Sequence, residues 1–170
     1  MNDKTEFVVR AVALGAGATV VMDLWAAALR RFGVRSLDFA LLGRWIGHLP
    51  RGQWFHESIG KAAPVPGELV LGWLAHYSIG VTFAALLLAV FGLDWARQPT
   101  YWPALAIGLV TVVAPLLVLQ PALGLGIASS KTPTPVFNAL KSVATHAVYG
   151  TGLWLTARLL ALAGFGGSQS

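Results

Sequence analysis

The chain has no cysteine and little charge. The first absence excludes disulfides, thiolate metal ligands and cysteine nucleophiles. The second has the larger consequence. Asp, Glu, Lys and Arg make up 11% of the residues, less than half of the roughly 25% usual in soluble domains, while apolar residues make up 56%. A soluble domain of this size still exposes much of its surface. The interior of 170 residues is therefore too small to hide so much Leu, Val, Ala and Trp, and lipid is expected to cover the rest. Acidic residues are scarce as well, 7 against 12 Lys and Arg. The positive surplus is scattered between apolar segments, which argues against nucleic acid as a partner and for charges that flank membrane spans.

Two motifs of chemistry are also missing. The run 126–132 faintly resembles a phosphate-binding loop, but that motif needs a glycine just before the lysine, and Ser130 precedes Lys131. Ser129 and Ser130 lack any nucleophile signature around them, so nothing assigns a hydrolase, and the chain is not read as an enzyme.

What is present is length without charge. A membrane-crossing helix takes about 20 mainly apolar residues, and four segments meet that, at about 7–29, 68–91, 102–123 and 136–162. The first is not read as a cleavable leader, because Asp3 and Glu6 precede it and Arg30 and Arg31 follow it. The fold expected is an all-α integral membrane four-helix bundle forming a single transmembrane domain. Its first connection, residues 30–67, is too long for a bare turn and is expected to carry a short interfacial helix. Ser36 is the expected cap, Pro50 follows the end, Phe39, Leu42, Trp45 and Ile46 would lie on the membrane surface, and Arg44 and His48 would face water or headgroups. Residues 92–101 form the second connection and the Gly-, Ser- and Pro-rich residues 124–135 the third. Proline before the second and fourth spans, at Pro64, Pro66, Pro133 and Pro135, suits helix starts.

Eight basic residues, Arg30, Arg31, Arg35, Arg44, Arg51, Lys61, Lys131 and Lys141, lie in or near the first and third connections. Four, Lys4, Arg10, Arg97 and Arg158, lie towards the other face. The positive-inside rule places the long loop in the cytoplasm and the termini outside. Trp25, Trp45, Trp54, Trp73, Trp102 and Trp154 include several interfacial anchors.

Ionisable residues at membrane depth cost about 2.5 to 3.5 kcal/mol for Asp on insertion scales, which makes each a functional candidate. Asp23, His76 and His146 are three such residues. Each sits about 12 Å, at 1.5 Å per residue, from the loop-bearing end of its span, so one polar layer is expected. Each also belongs to a stripe of small residues at four-residue steps: Gly15, Thr19, Asp23; Gly72, His76, Gly80, Ala84; Ser142, His146, Gly150. Gln120 reaches the same level on the third span, where Pro115 is expected to bend the helix.

Four readings of the layer stand open. It is an interhelical hydrogen-bond set in a structural or accessory subunit; an iron or zinc centre on Asp23, His76 and His146; a haem b site with His76 and His146 as axial ligands and Gly72, Gly80 and Gly150 making room for the macrocycle; or a relay for protons or a small solute. Arg44, His48, His56 and Glu57 of the long loop, with Gln120, are the expected lid or outer partners. Lipids are the expected partners, with a homo-oligomer or larger membrane complex beyond them.

Gly17, Asp23 and Trp25 in the run 17–25, Gly43, His48 and Gly52 in 43–52, Gly72, His76 and Gly80 in 72–80, and Gln120, Pro121 and Lys131 beyond them carry a resemblance. The chain resembles a family of bacterial membrane proteins known only as domain of unknown function 2938, over nearly its whole length. The resemblance implies a bacterial inner-membrane location and no particular activity.

Overall fold

The computed structural model describes residues 2–34 and 36–164; Arg35, counted above among the basic residues of the first loop, lies outside them. Five helices make up the fold: α1 (Asp3–Arg31), α2 (Phe39–His48), α3 (Glu68–Arg97), α4 (Tyr101–Ala122) and α5 (Pro135–Leu162). Among the described residues there is no strand. Helices α1, α3 and α4 are long and apolar enough to cross a membrane.

The ends follow from local chemistry. Asn2 caps α1 by accepting the Thr5 N–H at 2.8 Å. Asp3 and Glu6 stand in its first turn and Arg30 and Arg31 in its last, each sign where the helix dipole favours it. For α2 the cap is Asp38, whose carboxylate accepts the Ala40 N–H at 2.9 Å, rather than Ser36. The Ser36 hydroxyl instead accepts a hydrogen bond from Arg30 at 3.2 Å. The helix ends in a tight turn, Leu49–Arg51, that contains Pro50 and stops at Gly52 with φ of 75°.

One boundary departs from the sequence expectation. Gly92 adopts φ 75° and ψ 172°, a conformation only glycine takes readily. It bends α3 instead of ending it, so the connection to α4 shrinks to residues 98–100. Beyond the bend Trp95 and Ala96 return to the core. In α4 the residues Ala114–Leu119 form a π-helical turn, which takes up the bend expected of Pro115 because proline has no N–H for the ordinary ladder.

Helix α1 is central, with α3 against one side and α5 against another, and α5 also packs on α4. The core contains Leu14, Ala18, Leu87, Leu88, Tyr149 and Leu153, all essentially inaccessible. Small residues set the separations. A side chain at Gly15 would run into the backbone of Gly80 and Val81, and one at Gly80 into Thr19. Helix α2 packs against another helix rather than standing alone. It docks on the first half of α3, with Gly43 against the Glu68 carbonyl and Gly72 against the Phe39 carbonyl. Leu42 and His48 are buried, and Arg44 points into the protein rather than into water.

Candidate functional site

Because α1 and α3 approach so closely along the Gly15 and Gly80 stripe, the ionisable residue that each carries on that stripe meets the other. Asp23 Oδ1 lies 2.9 Å from His76 Nε2. The other oxygen accepts the Tyr77 hydroxyl at 3.0 Å. The His76 side chain is 10% exposed and that of Asp23 22%, so the imidazole is enclosed while the carboxylate has an opening. The opening is a groove of about 670 Å³ between the end of α1 and the start of α2 and α3, with Asp23, Arg30, Asp38, Phe39, Leu69 and Trp73 among its walls. Phe39 lies 4.3 Å from Trp73 and 4.5 Å from His76 between ring centroids, making an aromatic wall behind the carboxylate. Tyr77 was missed by the sequence reading. It is adjacent to His76 in sequence, and only the relative rotation of α1 and α3 reveals that it reaches the same carboxylate.

Deeper into the bundle the space is closed. The Thr19 hydroxyl turns back on its own helix, to the Gly15 carbonyl at 2.7 Å. Tyr149 of α5 reaches across to donate to the Gly80 carbonyl at 2.6 Å. Leu14, Ala18, Ala84 and Leu87 fill the next layers with no exposure. Access to Asp23 is therefore one-sided.

His146 does not join the pair. Its Nδ1 lies 3.1 Å from the Thr111 hydroxyl of α4, and its ring packs at 6.4 Å from Phe83, which is seven residues, about 10 Å along the axis, beyond His76. The Ser142, His146, Gly150 stripe is real but faces α4. Gly108 packs against the backbone at His146 and Gly150, and Gln120 donates to the Ser142 hydroxyl at 3.2 Å. Among the described residues no three His, Asp or Glu side chains are placed to hold a metal ion, so the expected iron or zinc centre is not assembled. The room expected for haem b is taken too: α2 fills the space at Gly72, α1 that at Gly80 and α4 that at Gly150.

The long loop is fastened down. Arg44 grips Glu68 with two hydrogen bonds, at 2.9 and 2.7 Å, and donates to the carbonyls of Ile59, Gly60 and Ala62. The Glu68 carboxylate raises the guanidinium pKa above its usual value. His48 and His56 bond to each other, Nδ1 to Nε2 at 2.8 Å, and the His56 and Ile59 N–H groups donate to the carbonyls of Ala122 and Leu123. Glu57 lies with its backbone against Gly124. These contacts tie the loop to α2 and to the end of α4, and bring neither histidine to Asp23.

At the opposite end Glu6 is clamped between two arginines. Its Oε1 accepts from Arg10 Nε at 2.8 Å and its Oε2 from Arg97 Nη2 at 2.8 Å. Arg10, only 1% exposed, also donates to the Ala96 carbonyl. The spacing of Glu6 and Arg10, one helical turn apart, was the available signal. The third partner is 91 residues from Glu6, and the sequence reading took Arg10 and Arg97 only as flanking charges.

The described residues are helical and strand-free, with three apolar helices long enough to cross a membrane and a partly buried carboxylate meeting a buried imidazole between two of them. The chain belongs to the family of proteins of unknown function DUF2938, whose sequence profile matches residues 12–160. No curated protein and no solved structure matches it.

Proposed function

We propose that the protein is a four-span protein of the bacterial inner membrane in which Asp23 and His76 form a one-sided, proton-exchanging binding site. Helix α5 is the fourth span. At 28 residues it has the length, its inner face holds Tyr149, Leu153 and Ala157, and its outer face shows Leu140, Leu155, Leu159 and Leu162 to the surroundings. The excess of basic residues in and around the first and third loops puts those loops in the cytoplasm and the termini in the periplasm.

The observation that carries this reading is the hydrogen bond of 2.9 Å between Asp23 and His76 at the edge of an open groove. A carboxylate that accepts from an imidazole and a phenol keeps further lone pairs at the groove for a ligand or a proton. The filled layers beyond Thr19 argue for binding over permeation, because a relay through the bundle needs polar groups on both sides of the pair. The same fit of glycine against backbone favours a second reading, in which the pair only locks α1 to α3 within an accessory subunit.

A carbodiimide that enters the lipid phase and reacts with protonated carboxyl groups separates these readings. In reconstituted protein it is expected to modify Asp23, faster as pH falls, and to leave Glu6 unmodified by mass spectrometry of peptides. Sealed vesicles are expected to show no sustained proton flux above that of empty ones. An Asp23 that stays unmodified at every pH leaves only the packing role, and a flux abolished by Asp23→Asn would make the protein a transporter.

A further inference from the structure

The groove at Asp23 has walls of three kinds, and together they define a ligand. Asp23 and Asp38 are negative and Arg30 is positive. Phe39 and Trp73 supply aromatic surface, and Trp73 is 39% exposed. Leu69, at 54% exposed, and Leu37, at 40%, form open apolar lips. Resting on the reading of Asp23 as a binding site, we infer that the groove holds the headgroup of a zwitterionic amine-bearing phospholipid, with its ammonium at Asp23 and its phosphate at Arg30.

Charge decides between lipid classes. An anionic headgroup would bring its charge to Arg30 but past two carboxylates, whereas a zwitterion satisfies both signs. Asp23 already accepts one hydrogen bond at each oxygen and keeps further lone pairs for an ammonium, and Trp73 lines the same groove. Arg30 gives one N–H to Ser36 and has a planar fork suited to phosphate. It stands seven residues, two turns of α1 or about 10 Å, from Asp23. Both residues lie on one face of α1 and line the same groove. The lips commit the source: a soluble amine has no use for Leu37 and Leu69, while acyl chains leaving the headgroup would run along them and over the exposed flank of α3 at Val70 and Leu74.

The test uses the full chain, delipidated in detergent, passed through vesicles of equal parts phosphatidylethanolamine and phosphatidylglycerol, re-extracted and weighed by native mass spectrometry. Phosphatidylethanolamine is expected to be retained in about tenfold excess, the worth of one charge-assisted hydrogen bond. Asp23→Asn and Asp38→Asn are each expected to bring the ratio towards one, and Arg30→Ala to lower retention of both lipids. Asparagine also caps helices, so the Asp38 variant keeps α2 and carries the test should the Asp23 variant fail to fold. Equal retention, an excess of phosphatidylglycerol, an excess unchanged in both aspartate variants, or displacement of the lipid by millimolar free phosphoethanolamine overturns the inference. If lipid preference is absent while Asp23 still reacts with carbodiimide, the lipid assignment alone falls; if Asp23 does not react, the binding reading beneath it falls.

Discussion

The two ends of the bundle each hold a carboxylate between helices, and they hold it differently. At the end near the first turn of α1, Glu6 is held by two guanidinium groups and is 5% exposed. At the loop end, Asp23 is held by an imidazole and a phenol and faces a groove. Guanidinium never gives up its proton in a protein, so the first arrangement is fixed in charge and serves to fasten the bent end of α3 to α1. Imidazole and phenol carry no such permanent charge, and the groove leaves an opening. Enclosure and partner chemistry, rather than burial alone, separate the two carboxylates.

The sharpest way to break that contrast is at the sealed end. Arg10→Ala removes a side chain that is 1% exposed and bonds both Glu6 and the Ala96 carbonyl. Taking one partner from a buried ion pair costs about 3 to 5 kcal/mol, which corresponds to a fall of about 10 °C in the unfolding temperature for a chain of this size. Thermal unfolding in detergent reads it. The reaction of Asp23 with carbodiimide, measured below that temperature, is expected to stay as it is in the parent protein. A loss of Asp23 reactivity without a loss of stability would show the two ends to be one coupled system.

How much of this contrast the sequence carries depends on which helix faces are involved. The partnership of Asp23 with His76 was legible, because stripes at four-residue steps predict which side of each helix is small enough for close approach, and α1 and α3 use those sides on each other. The placement of His146 was not. Its stripe has the same composition, and composition does not say which neighbour a small face meets; Gly108 of α4, a residue the stripes did not include, supplied the match. Arg44 was misread for a related reason. A charged residue on a short amphipathic helix reads as solvent-facing, yet Glu68 stands 24 residues later at the start of α3 and draws it inward. The bend at Gly92 was hidden because glycine followed by an Asp, an Arg and a Pro reads as a loop, while the fold continues the helix to bring Trp95 and Ala96 under Arg10.

At the open end the groove depends on α2 staying docked. Gly72→Val places a branched side chain where the Phe39 carbonyl and the Gly43 N–H now lie. Overpacking of this kind costs about 1 to 3 kcal/mol, and here it is expected to lift α2 off α3, strain the Arg44 clamp on Glu68 and free the long loop. Limited proteolysis is the measurement: cleavage within residues 53–66 is expected to rise severalfold while α1, α4 and α5 remain intact. Unchanged cleavage would mean that the loop is held by its bonds to Ala122 and Leu123 rather than by α2.

The smallest effect is expected from His146→Phe, and its smallness is informative. The substitution loses one hydrogen bond to Thr111, worth about 1 kcal/mol, and keeps a ring against Phe83. Residues with no shared partner behave nearly independently, so carbodiimide reaction at Asp23 is expected to stay within about twofold of the parent rate. The same measurement on Tyr77→Phe, which removes a direct hydrogen bond to Asp23, supplies the contrast on the same helix as His76. If the His146 variant slowed the reaction as much as the Tyr77 variant changed it, the interface of α4 with α5 would be communicating with the groove through Tyr149 and its bond to Gly80. The polar residues of α1, α3 and α5 would then form one working unit despite lying at different levels of the bundle.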